Sequence, residues 1–99
     1  MKFLVIARPR ENRQGMTSAM VEATLEKVKG HLKSGVTDCT YSFADGSGSV
    51  AIANADSGEA LVDLLESPAA PFIHFEAHPL ADFNKVIGNL ITTMKKQGL

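Results

Sequence analysis

The residues best suited to chemistry lie in one short segment, Pro71 to Leu80, which reads Pro-Phe-Ile-His-Phe-Glu-Ala-His-Pro-Leu. Its composition predicts a β-strand, in which alternate side chains point to opposite faces. His74, Glu76 and His78 would then share one face, with a carboxylate between two imidazoles. No other segment concentrates side chains that exchange protons near neutral pH in this way. The three residues are therefore the candidate catalytic group, with Glu76 as the general base.

Two interpretations of this cluster stay open from the sequence. In a partly dry pocket, Glu76 could act as a general base, while His74 and His78 hydrogen-bond to it or orient a substrate. Alternatively, the three residues form a polar subunit interface or a hydrogen-bonded cluster at a rim, because ionisable clusters often serve structure.

A metal site is disfavoured by strand geometry. Residues two apart on a strand lie about 7 Å apart, and His74 and His78 would lie about 13 Å apart. Ligand atoms must approach a zinc ion to within about 2.3 Å, so this strand supplies at most two of them. We therefore expect no tightly bound metal.

Candidate substrate-binding residues come from two other segments. The apolar run from Phe3 to Ala7 is typical of a central strand covered on both faces. Arg8 and Arg10 follow it in a polar loop, where they could bind an anionic substrate, although a solvated loop explains the same residues. Tyr41 could contribute its phenol to a pocket, with a half-buried structural tyrosine as the alternative.

Length and composition limit the class of protein. The 99 residues suffice for one domain, and 44% hydrophobic with 21% charged residues is ordinary for a folded chain. The net charge of −1, with scattered Lys and Arg, argues against nucleic-acid binding. Cys39 is the single cysteine, which excludes an internal disulfide. No segment has the length of a membrane span, and no signal-peptide pattern is present, so we expect a cytoplasmic protein.

Hydrophobic periodicity predicts a helix from about Thr17 to Ser34, followed by a hairpin. Gly35 should end the helix. The inward stripe expected from the spacing consists of Val21, Leu25, Val28 and Leu32. Strands are expected at 36–43, with Thr37, Cys39, Tyr41 and Phe43 on one face, and at 49–54, with a turn at Asp45-Gly46 between them. The small Ala51 and Ala53 share one face of the second strand, which leaves space there for a close helix or a ligand.

The second half of the chain repeats the pattern of helix and strand. Asp56 and Glu59 resemble a capping box for a short helix. The inner face of that helix should consist of Ala60, Leu61, Leu64 and Leu65. After the strand at 71–80, an amphipathic helix is expected at 82–97. The order βαββαβ, with an added C-terminal helix, predicts an α+β ferredoxin-like domain over residues 1–99, with its core in 1–80 and an antiparallel four-stranded sheet.

Several motifs in this half resemble those of the muconolactone isomerase-like family of dimeric α/β-barrel proteins. They are Asp56-Ser57, the Leu64-Leu65-x-Ser67 helix end, Pro68, Pro71-Phe72 and the strand through Glu76-Ala77 to Leu80. Glu76 and His74 fall on the glutamate and aspartate of the family's Asp-x-Glu-Val strand. The resemblance implies a homodimer or larger homo-oligomer and a cofactor-free isomerase, or a related cyclase or oxygenase, that acts on a small anionic or aromatic metabolite. The alternative from another class is a non-catalytic dimeric binding or assembly protein of the same fold. A pocket between sheet and helices that contains Glu76 would favour the enzyme.

Overall fold

Four strands and three helices make up most of the chain, and the computed structural model describes all of it, from Met1 to Leu99. The elements are β1 (Lys2–Pro9), α1 (Ser18–Ser34), β2 (Thr37–Ser42), β3 (Ser49–Asn54), α2 (Gly58–Leu65), β4 (Ile73–Pro79) and α3 (Phe83–Lys96). A 3-10 turn, Ala70–Phe72, precedes β4. The strands form one antiparallel sheet in the order β2-β3-β1-β4. The predicted ferredoxin-like α+β fold is confirmed.

The pairing register divides the side chains of the sheet between two faces. Val5 of the central strand β1 lies opposite Ala51 and Ala77, whereas its neighbour Ile6 lies opposite Val50 and Glu76. Directly opposite residues project to the same side of a sheet. The side of Val5 is packed against α1 and α2, and we call it the helix side. The other side, which no helix of the core covers, is the open face.

The core on the helix side is small. It consists of Phe3, Val5, Ala53, Ala55 and Leu61, with Ala60, Leu64, Leu65 and Phe75 packed around them. The inner face predicted for α2 is therefore confirmed. Its cap differs from the prediction, because the Ser57 hydroxyl, and not Asp56, accepts the Ala60 N–H at 3.1 Å. None of the three helices combines the length and hydrophobicity needed to cross a membrane.

Helix α1 has the predicted ends but a different inward face. Thr17 caps its start, and Gly35 ends it with a φ of 81°, which a glycine adopts without strain. The expected inward stripe is largely wrong, since Val21, Leu25 and Leu32 are exposed. At 3.6 residues per turn, Thr24 and His31 lie roughly a quarter turn from that stripe, and they face the sheet instead.

Strand β2 contains a bulge that changes which residues share a face. Thr37 pairs with Ala53 and Cys39 with Ile52, so that Asp38 is inserted between them. Thr37 is consequently buried on the helix side, while Cys39 and Tyr41 lie on the open face. The single face predicted for Thr37, Cys39 and Tyr41 is wrong because an inserted residue reverses the alternation.

Helix α3 extends away from the domain. The longest dimension of the chain is 58 Å and its radius of gyration is 17.2 Å, against about 13 Å for a compact domain of 100 residues. Every α3 residue except Ile87 is exposed. The helix predicted at 82–97 is confirmed, but it contributes nothing to the core of its own chain.

Candidate functional site

A cavity of about 160 Å³ lies on the helix side, between the sheet and the two core helices. A cavity of roughly 150 Å³ holds benzene, so this pocket has room for a small metabolite. The sheet gives it an apolar floor that includes Val5, Ala51 and Phe75. Its polar lining consists of Thr24, Lys27, His31, Thr37, Thr40, Ser49 and Ser67. We call it the helix-side pocket.

Small residues on the sheet create the space for this pocket. Ala51 and Ala53 of β3 and Ala7 of β1 line it with methyl groups, where larger side chains would fill the gap below α1. Thr40 is turned toward its own sheet and donates a hydrogen bond to the Val50 carbonyl at 3.2 Å. The space predicted beside Ala51 and Ala53 is thus open and forms the pocket, because no helix packs closely against these residues.

Helix α1 supplies the polar wall. The Thr24 hydroxyl donates to the Met20 carbonyl at 2.9 Å and accepts the Ala69 N–H at 3.1 Å, which ties the helix to the segment after α2. The Lys27 ammonium donates to the Glu66 carbonyl. No hydrogen bond within the chain engages the His31 imidazole. Because imidazole accepts and releases protons near neutral pH, His31 is the group in this pocket best suited to acid–base chemistry.

The predicted catalytic residues form a second cluster, on the open face. The His78 Nε2–H donates to Glu76 Oε2 at 2.8 Å, and both side chains are about half exposed, at 56% and 46%. Arg8 lies opposite His74 across the strand pair. The hydrogen bond from His78 lowers the pKa of Glu76 below its ordinary value, aided by the charges of Arg8 and His74 and opposed by desolvation. Glu76 is therefore an ionised, weakly basic carboxylate.

None of the six residues singled out in the sequence lines the helix-side pocket. Arg8 and Tyr41 lie on the open face with the cluster; Arg8 lies 5.8 Å from the centre of the Phe43 ring, and Tyr41 is largely exposed. Arg10 lies beyond β1, with its backbone N–H bonded to the Phe72 carbonyl at 2.8 Å. A pocket between sheet and helices exists, but Glu76, whose presence there would have favoured the enzyme, points away from it because it is paired with Ile6. A catalytic role for the cluster stays a prediction.

The residues that sequence reasoning missed are Thr24, Lys27 and His31. Their spacing of three and four places them on one face of α1. A polar stripe beside an apolar one was the available signal, but only the apolar stripe was assigned to the core. No three His, Cys, Asp or Glu side chains converge closely enough to bind a metal ion.

Topology and pocket together define a ferredoxin-like protein with a small cavity under its helices. Among solved structures, the chain matches a crystal structure of muconolactone isomerase at 3.3 Å resolution, with a TM-score of 0.72 and 19% sequence identity over 83% of this chain and 90% of that chain. The fold is therefore that of muconolactone isomerase. No family model matches the chain, and no curated protein matches it in sequence.

Proposed function

We propose that this protein is a cofactor-free isomerase that binds a small unsaturated, anionic metabolite in the helix-side pocket and moves a proton with His31. The observation that carries the proposal is the free imidazole of His31 in an otherwise largely apolar cavity. The fold shared with muconolactone isomerase supports a lactone bearing a carboxylate as the class of substrate.

The chemistry needs one group that removes a proton from carbon and returns it elsewhere. The His31 imidazole takes a proton from a carbon next to a carbonyl group, which leaves a delocalised enolate. The same imidazolium then gives the proton back to another carbon, so that a double bond shifts and no atom is gained or lost. General acid–base catalysis of this kind contributes about 10²–10⁴-fold in rate.

Lys27 supports this step electrostatically. One of its ammonium protons bonds to the Glu66 carbonyl, and an ammonium has three protons to donate. The remaining two are available to a substrate carboxylate or to the oxygen on which enolate charge develops. A cation in a pocket with an apolar floor stabilises such charge more than it would in water.

The open face is proposed as the contact between two copies of the chain. Its centre consists of the half-buried aliphatic residues Leu4, Ile6, Val50 and Ile52. Leaving these uncovered would be unusual for a monomer. A homodimer that joins two open faces into an α/β barrel covers them and brings the His74–Glu76–His78 cluster to its rim. Light scattering at micromolar concentration should give at least twice the 10.6 kDa chain mass, and a wild-type monomer would contradict the barrel.

The catalytic proposal is tested by His31→Gln, assayed on a panel of unsaturated lactones. Glutamine keeps polarity and approximate size but cannot exchange the proton, so we expect turnover to fall about a hundredfold or more. The matched control is His74→Gln, which removes an imidazole from the other side of the sheet and should leave turnover near wild type. Full turnover in His31→Gln would refute the assignment.

A second candidate is a non-catalytic dimeric binding protein, which the exposed position of the Glu76 cluster favours. Binding of a panel lactone by the wild type without turnover would support this candidate over the isomerase. A wild-type protein that neither binds nor converts any of them would contradict both.

A further inference from the structure

The helix-side pocket contains a buried hydroxyl that the chain itself leaves unbonded. Thr37 is 8% exposed and lines the pocket, yet no hydrogen bond within the chain engages its hydroxyl. No fully enclosed side-chain oxygen or nitrogen lacks a partner in this structure, so the Thr37 oxygen is accessible from the pocket. Buried polar groups need a hydrogen-bond partner. For Thr37 this partner is left to water or to a ligand in the pocket.

The bulge in β2 is what directs Thr37 into the pocket. Cys39 pairs with Ile52 on the open face. In a regular strand its neighbour Asp38 would then lie opposite Ala53, with the carboxylate on the helix side. Instead Asp38 is the inserted residue, and Thr37 pairs with Ala53. Bulges are common next to active sites, where they redirect a side chain. The result is a hydroxyl where regular pairing would place a carboxylate.

Polar contacts outside the pocket hold this bulge in place. The Asp38 carboxylate accepts hydrogen bonds from the Lys2 ammonium and from the side-chain amide of Asn54, the latter at 2.8 Å. The same amide donates to the Gly35 carbonyl at 3.2 Å, and its oxygen accepts from Lys2 at 3.0 Å. These contacts keep the Asp38 carboxylate out of the pocket.

The pocket lining contains no acidic side chain. Its two basic side chains, Lys27 and His31, therefore have no carboxylate partner within it. A carboxylate at the position of Thr37 would repel an anionic ligand, whereas a hydroxyl does not. This charge pattern suits the anionic metabolite of the proposed function, on which the present inference rests.

Thr37 and the Lys27 ammonium lie toward opposite ends of the pocket. Thr37 is opposite Ala53, close to the end of β3 from which the chain enters α2. The ammonium bonds to the Glu66 carbonyl, just beyond the other end of α2. An eight-residue helix is about 12 Å long. The two donors therefore contact different parts of one ligand.

We propose that the Thr37 hydroxyl donates a hydrogen bond to the ring carbonyl of the substrate, while Lys27 binds its carboxylate. His31 lies in the last turn of α1, which leads into β2, and so is at the Thr37 end of the pocket. The carbon that gives its proton to His31 is next to this carbonyl. Charge that develops on the carbonyl oxygen then meets a donor that is already in place.

Binding of two matched probes tests the pairing of Thr37 with a carbonyl group. One probe is a saturated five-membered lactone with an acetate substituent, and the other is the cyclic ether in which CH₂ replaces the ring carbonyl. Neither has a double bond to move, so calorimetry measures Kd without turnover. We expect the wild type to bind the lactone about tenfold more tightly than the ether. Thr37→Val should bind the two equally, because valine keeps the shape but not the donor.

Two variants serve as matched controls. Thr37→Ser keeps the hydroxyl and should retain the preference for the lactone. Thr40 lines the same pocket, but its hydroxyl already donates to the Val50 carbonyl at 3.2 Å, so Thr40→Val should also retain it. A preference that persists in Thr37→Val, or that the wild type lacks, would overturn the proposal.

Thermal unfolding without ligand separates a binding role from a structural one. Because the Thr37 hydroxyl makes no bond within the chain, Thr37→Val should melt at or above the wild-type temperature. Thr40→Val removes a hydrogen bond of the sheet and should melt earlier. If Thr37→Val melted several degrees below the wild type, the hydroxyl would serve the fold, and the proposal would be wrong.

Asp38→Ala tests whether the contacts of the bulge position Thr37. We expect the lactone preference to fall while the Kd of the ether is unchanged, whereas a merely structural loss would weaken both probes alike. Asp45→Ala removes another exposed carboxylate, which accepts the Ser47 N–H at 2.9 Å, and should change neither Kd. An unchanged preference in Asp38→Ala would contradict the positioning role of Asp38.

Failure of this inference and failure of the proposed isomerase give different results. A wild type that prefers the lactone probe but converts no unsaturated lactone retains the pairing with Thr37 and loses the isomerase. A wild type that isomerises a lactone but binds the two probes equally loses the pairing alone. A wild type that binds neither probe contradicts both.

Discussion

His31 and Glu76, the two residues best suited to proton transfer, lie on opposite sides of the sheet. His31 lines the helix-side pocket, and Glu76 projects from the open face opposite Ile6. A general base must be within hydrogen-bond reach of the proton that it abstracts. The two side chains therefore cannot act on the same atom of one substrate molecule, and each supports a different account of the protein.

Glu76→Gln separates these accounts. The variant keeps the shape of the side chain but cannot accept a proton. We expect it to retain most of its turnover on any lactone that the wild type converts, because Glu76 is outside the pocket. Its association between chains should weaken, since the hydrogen bond from His78 loses its charged acceptor. A loss of about a hundredfold in turnover with unchanged assembly would instead establish Glu76 as the catalytic base.

The same carboxylate predicts how stability depends on pH. The folded state lowers the pKa of Glu76 below its ordinary value of 4.5, chiefly through the hydrogen bond from His78. A lowered pKa stabilises the fold above pH 4.5, and this contribution is lost as the pH falls through the lower, folded value. Because the side chain is half exposed, the effect is small. Urea unfolding of wild type and Glu76→Gln should differ near neutral pH and converge in acid; curves that stay parallel would contradict this.

Filling the helix-side pocket should abolish ligand binding without unfolding the protein. Ala51→Leu adds three carbon atoms where β3 lines the cavity, so space is available for them. A bound ligand at a hundred times its Kd stabilises a protein by about 2.7 kcal/mol. We expect the wild type to show the corresponding rise in melting temperature with its best-bound lactone, and Ala51→Leu to show none. Ile52→Leu, the next residue on the open face, should respond like the wild type.

Gly48, the residue before β3, must be a glycine because it lies close to the backbone of β1. A Cβ atom built there would lie 2.3 Å from the Ala7 carbonyl oxygen and 3.2 Å from Arg8 Cγ. Gly48→Ala should therefore destabilise the fold by roughly 1–3 kcal/mol, as other overpacking changes do. Gly30→Ala, in the open interior of α1, meets no atom within 4 Å and should stabilise by about 0.5–1 kcal/mol. Equal urea midpoints for the two variants would contradict this account.

The sequence alone determined the order of the elements and most of their ends. Thr17 and Gly35 mark the ends of α1 because a hydroxyl satisfies free N–H groups and glycine adopts a positive φ. The alternation in Pro71–Leu80 correctly placed His74, Glu76 and His78 on one face. These are local properties, since capping and alternation depend on residues only a few positions apart.

Only the tertiary structure decided which face meets the helices and which residues surround the pocket. Alternation shows that Glu76 and Phe75 point in opposite directions, but the side covered by α1 and α2 follows from the pairing of Val5 with Ala51 and Ala77. Rotation of α1 by about a quarter turn brought His31 to the sheet and left Leu25 exposed. Such a rotation depends on the space left by small residues on β3, which are distant in sequence, so the periodicity of α1 alone could not reveal it.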